Sequence, residues 1–179
     1  MLKITLPSVE LYDEVNDLFI TSKEQVLQLE HSLVSLSKWE SKWKKPFLTK
    51  EIKTTAETID YIKCMTITQN VDDAVYNNVT DDNISEVQKY IESPMTATTI
   101  ANMDKASKEI VTAEIIYYWM ITLAIPFEPC HKWHLDKLMT LINVCSIKNA
   151  PPKKMSRNEV ISRNAALNRS RRKAMRTSG

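Results

Sequence analysis

The chain has 179 residues, 24 Lys and Arg against 22 Asp and Glu, and 43% apolar side chains, which suits one domain with a real core and at most a small appendage. Its single glycine is the last residue, Gly179; phosphate-cradling loops, dinucleotide fingerprints and nucleophile elbows are excluded, because each needs glycine where the backbone takes positive φ or meets a ligand closely. The near-neutral total of +2 conceals a division: from Lys153 onward nine cations face one acid, Glu159, a net +8 that leaves −6 on the residues before it.

Cys64, Cys130 and Cys145 are odd in number and far apart, a pattern of free thiols in a reducing compartment rather than of a disulfide frame. The opening MLKITLPSVELYDEV lacks the basic-then-apolar order of a secretion signal, so the expected location is the cytoplasm.

In chain order, KITL at 3–6 and NDLFIT from Asn16 read as short strands separated by a charged turn around Tyr12 to Glu14. Gln25 to Glu30 alternates, with Leu27 and Leu29 on one side, so residues 1–31 are expected to form a small β-sheet or hairpin of two or three strands. A helix follows over 32–43, where Leu33, Leu36, Trp39 and Trp43 recur at helical spacing. Trp39 and Trp43 lie four apart and share a face; they are either core anchors or a partner-binding surface. Thr54-x-x-Glu57 is a capping box opening a helix with Ile59, Ile62 and Met65 inward. Asn70 is expected to cap a short helix led by Asp72 and Asp73, and Thr80 a longer one led by Asp81 and Asp82 and ended by Pro94. These acids lack the glycine and closing Glu of a calcium loop. Residues 95–107 are expected to be the longest loop.

The most apolar stretch is KEIVTAEIIYYWMITLAI, 108–125. Seven successive large apolar residues from Ile115 to Ile121 predict a helix buried on all sides and stopped by Pro126. Glu109 and Glu114 interrupt it, and its apolar run falls short of the ~18 to 20 residues that span a bilayer. The prolines of PFEPC force a bend into a helix expected from His131 to Ser146, antiparallel to its predecessor, the two together dominating the core. Cys130, His131 and His134 form the one cluster with metal-ligand chemistry, but no second pair completes a zinc site, and no nucleophile with its base is recognisable. The expectation is a non-enzymatic protein without metal or cofactor.

Pro151 and Pro152 open the tail, and Ser156-x-x-Glu159 caps a helix whose large apolar residues are few: Val160, Ile161, Leu167 and Met175. Such a helix docks weakly or folds on a partner. Its cations Arg163, Arg169, Arg171, Arg172, Lys173 and Arg176 suit nucleic-acid phosphate or an acidic protein surface, although no zinc-finger, RNA-recognition or basic-zipper pattern accompanies them. The fold class is mainly α: an N-terminal β segment (1–31) and a helical body (32–150) in one compact domain, with a basic helical tail (151–179).

The stretches LQLEHSLVSLSKWESKWKKPFL from Leu27, ETIDYIKCMTITQNV from Glu57, EIVTAEIIYYWMI from Glu109 and KWHLDKLMTLINVCSIKNAPPKKMS from Lys132 resemble a family encoded by long-tailed bacteriophages and prophages, whose members are described as tail assembly chaperones or tail-region proteins. The resemblance implies a non-enzymatic protein that binds the tape-measure protein in the host cytoplasm while the tail tube assembles. It assigns no role to any numbered residue. The partner-binding candidates, Trp39, Trp43 and the basic residues from Arg163 to Arg176, rest on residue type. A component that stays in the virion, as a connector or tail-completion protein, and a small nucleic-acid-binding regulator are the other two expectations, and self-association accompanies any of them.

Overall fold

The computed structural model describes residues 1–13, 18–98, 110–151 and 156–175, with backbone alone for 9–13 and 18–22. It is mainly helical, and its chain divides into two compact units, Met1–Ile147 and Lys148–Gly179.

The first unit begins with four strands, where two or three were expected: β1 (Leu2–Leu6), β2 (Val9–Asp13), β3 (Leu18–Ser22) and β4 (Gln25–Leu29). β1 pairs antiparallel with β4, and β2 with β3. Leu6 faces Gln25 and Val9 faces Ser22, so two residues on each side separate the ladders and one register carries past Pro7. Tyr12 and Asp13, read from sequence as part of a turn, are paired strand residues. Pairing depends on the partner strand, which a local turn signal does not report. In the proximal ladder Ile4, Leu6, Leu27 and Leu29 are buried while Lys3, Thr5, Val26 and Gln28 are exposed, the period-2 pattern of a ribbon with one face on a core. The other edge of β4 is also occupied: Glu30 N–H donates to Met65 O at 2.9 Å and Ile67 N–H to Gln28 O at 2.8 Å.

Helix α1 (Leu33–Trp43) starts at Ser32, whose side chain accepts from Ser35 N–H. It buries Leu33, Leu36 and Trp39 and packs on α2 (Thr55–Met65) and on α4 (Ala113–Thr122). The Thr54–Glu57 capping box is formed as predicted. The next short element is a 3₁₀ helix, Asp73–Asn78, and its cap is Asp72, accepting from Ala74 N–H, in place of Asn70. Asn70 instead takes the left-handed backbone, φ 56°, a conformation its short polar side chain tolerates. Helix α3 (Asp81–Glu92), capped by Thr80, lies along β1, with Asn83 donating to Thr5 O at 3.3 Å.

The expected central helix is corrected in length and burial. α4 starts at Ala113, ends at Thr122 before Pro126 is reached, and buries one stripe: Ala113, Ile116 and Met120. Tyr118 and Ile121 are 64% and 65% exposed. The stop comes from a left-handed Ala124: Ile125 N–H reaches back to Met120 O and Ala124 N–H to Ile121 O, a Schellman closure that satisfies the last carbonyls. A single turn, α5 (Phe127–Cys130), precedes α6 (Leu135–Asn149). α6 begins later than His131 because Val34 N–H donates to His131 O, Leu135 N–H to His31 O at 2.7 Å, and Ser32 bridges His134. These bonds pin residues 131–135 to the β4–α1 corner. Nor do α4 and α6 form the dominant pair; α1 is the helix that both α2 and α4 pack against. Residues 95–98 are irregular, and the remainder of the expected loop lies outside the described residues.

The second unit contains α7 (Arg157–Met175), whose Ser156–Glu159 capping box forms as predicted and whose side chains are exposed along its whole length. Among the described residues, no helix is long and apolar enough to cross a membrane.

Candidate partner-binding surfaces

Trp39 offers no surface to a partner. It is 1% exposed, its Nε1–H donates to Glu57 O at 2.9 Å, and its ring meets Phe47 edge-on at 5.0 Å. Trp43 stacks on it at 6.1 Å and donates Nε1–H to Asp60 Oδ2 at 2.8 Å. The two tryptophans therefore sew α1 to α2, and of the two alternatives left open by spacing the structure takes the core anchor for Trp39. Trp43 is half-buried. Beside them the Lys45 ammonium, with Thr54 N–H, holds the Glu57 carboxyl down to about 2, so this acid is charged throughout the ordinary pH range.

The histidines do not converge on a metal. His131 lies within 3.5 Å of Glu128 Oε1 at the surface, whereas His134 is buried with Nε2 facing Tyr90 O at 3.2 Å. His134 meets His31 edge-on at 5.2 Å, and His31 Nδ1 is 2.6 Å from the Tyr61 hydroxyl. Among the described residues no three His, Cys, Asp or Glu side chains are grouped to hold a metal ion. Cys64, Cys130 and Cys145 are free thiols.

The feature that periodicity missed is on α4. With Ala113, Ile116 and Met120 turned inward, the rest of an all-round apolar helix has to face outward, and Tyr118 and Ile121 do. Trp119 and Leu123 turn toward α6, where Ile142, Asn143 and Ser146 complete a cleft of about 260 Å³. Tyr117 packs edge-on against Phe127 at 5.5 Å, and Phe127 is itself 45% exposed. Clustered apolar exposure of this kind marks an interaction surface more often than scattered single residues do. The signal was present in the sequence: seven successive large apolar residues from Ile115 to Ile121 cannot all share one inward stripe at i, i+3 and i+7, so some of them must face outward, beside Glu114 and Thr122.

This surface is held in place by a buried carboxylate. Glu40, on α1, accepts from Phe47 N–H at 2.8 Å and from Ala113 N–H at 2.7 Å. Thr112, at the N-cap of α4, makes no side-chain cap bond; Glu40 satisfies an orphan donor of the first turn from 73 residues away in sequence.

The cationic candidates form a second surface, in the other unit. Arg163, Arg169, Arg171, Arg172 and Lys173 are exposed along α7, and Arg176 lies outside the described residues. The tryptophans and these cations thus belong to different units. A comparison of the chain with known protein families, curated proteins and solved structures finds no match.

Proposed function

We propose that this protein is a non-enzymatic bacteriophage tail assembly chaperone that binds the helical tape-measure protein during tail morphogenesis in the host cytoplasm. The observation that carries the reading is the exposed apolar face of α4 beside the α4–α6 cleft. A partner helix with apolar residues at i, i+3/i+4 and i+7 can lay them against such a face, and the contact needs shape and apolar area but no reaction centre. The class of partner comes from the four stretches of tail-family likeness, two of which supply α4 and α6.

Co-expression with the longest helical protein encoded beside this chain, followed by size-exclusion chromatography with light scattering, tests it. A soluble complex with several copies of this chain per partner is expected. The double variant Tyr118→Ser, Ile121→Glu should lose that complex while its circular dichroism stays unchanged, since both side chains are exposed. A partner that precipitates while this chain elutes alone overturns the reading. Recovery of this chain from purified particles at fixed copy number assigns it to the virion structure instead.

A further inference from the structure

We propose that α7 is a duplex-DNA-binding helix that enters the major groove with its cations against the phosphates of both walls, an activity independent of the α4 surface. Six cations occupy α7, at Arg157, Arg163, Arg169, Arg171, Arg172 and Lys173, against one acid, Glu159. That acid is committed to the cap, accepting from Ser156 N–H at 2.7 Å. Among the described residues Arg169, Arg171, Arg172 and Lys173 form no ion pair, so four positive charges within five residues are open to a polyanion.

The distribution decides which polyanion. At 3.6 residues per turn the six cations fall on every side of the helix, leaving no gap wider than about a quarter of its circumference. A helix that lies on a membrane segregates its apolar residues to one face, and one that docks on a protein groove carries a single apolar stripe. Here Val160, Ile161, Leu167 and Met175 fall within one arc of about 120°, but Arg157 and Arg171 lie in the same arc, so the face is mixed rather than apolar, and all four apolar side chains are at least 40% exposed. An acidic protein surface would meet one side and leave the opposite cations unused. The B-DNA major groove, about 12 Å wide, admits a helix and flanks it with phosphates on both walls. Five of the six cations are Arg, the side chain that binds phosphate and guanine bidentately, and Asn158, Asn164, Asn168, Ser162 and Ser170 between them supply neutral donors and acceptors of the kind that position a helix on duplex phosphate and base edges.

The test is fluorescence anisotropy of the full chain with a labelled mixed-sequence 20-base-pair DNA duplex across a salt series. Expected are micromolar binding at low salt and a log–log salt slope of about −4 to −5, as roughly five neutralised phosphates require. Changing Arg169, Arg171, Arg172 and Lys173 together to Gln should weaken binding about 30-fold or more and flatten the slope by about 3 to 4; Gln keeps helix propensity. Changing Arg169, Arg171 and Arg172 to Lys retains the charge and should retain the slope. Three results overturn the proposal: the Gln variant binding DNA as wild type does, charge-matched polyglutamate displacing the duplex equally well, which assigns α7 to acidic protein, or an RNA duplex of the same sequence binding as tightly, since the A-form major groove is too deep and narrow for a helix.

Discussion

Ala124 and Lys44 hold φ near 54°, each just past the last turn of a helix. Most chains place glycine there, because a Cβ in the left-handed region is unfavourable by about 1 kcal/mol; this chain has no internal glycine to use. What holds Ala124 in place is the closure around it, with Ile125 N–H on Met120 O at 2.8 Å and both of those side chains buried. Ala124 itself is exposed, so Ala124→Gly relieves strain without opening a cavity. Allowing for the extra freedom glycine gives the unfolded chain, the gain should be roughly 0.5 kcal/mol, a melting temperature higher by about 1 to 2 °C in scanning calorimetry. A fall in melting temperature would mean the left-handed position is unstrained.

The elements depend on ties between distant residues, and Glu40 is the clearest. Replacing it by Ala leaves the N–H groups of Phe47 and Ala113 buried and unpaired, at about 1 to 3 kcal/mol each. Urea unfolding of Glu40→Ala should show a loss of roughly 2 to 5 kcal/mol; a loss under 1 would mean that water replaces the carboxylate. This tie also marks the limit of what sequence conveys. The starts of α2 and α7 were legible at Thr54 and Ser156 because a cap and its partner lie three residues apart, and that of α3 at Thr80 because two acids follow the cap. The outward face of α4 was not, because periodicity shows where apolar residues fall and says nothing of how many neighbours are available to cover them. β2 and the late start of α6 were missed for a related reason: Tyr12 owes its strand to Phe19, and residues 131–135 owe their irregular path to His31 and Ser32. Of the site candidates, Trp39 was left open between core and surface by residue type alone, as a large aromatic serves both equally well.

For the whole molecule, the buried histidine pair sets a response to acid. Burial, assisted by neighbouring His134, lowers the His31 imidazole to about 3, and burial lowers His134 as well. In the unfolded chain both titrate near 6.5, so below that pH the unfolded state takes up protons the fold refuses. Stability is therefore full above about pH 6.5 and falls as pH drops toward 3, by up to about 1.4 kcal/mol per pH unit from His31, with the lowered His134 acting in the same direction. Thermal unfolding from pH 7.5 to 4.5 should show this decline, and His31→Gln should flatten part of it; a melting temperature constant over that range contradicts the assignment. The same corner of the fold governs the order in which the molecule is completed. Joining Leu135 to His31 closes a loop of roughly a hundred residues, whereas the bonds between β4 and the end of α2 close one of about 35, and the longer closure is entropically dearer by about 1 kcal/mol. The β4–α1–α2 corner is thus free to assemble before α6 arrives. The cleft between α4 and α6 then exists only after the last long-range contacts are made, so the partner binding proposed for it would be a readout of finished folding.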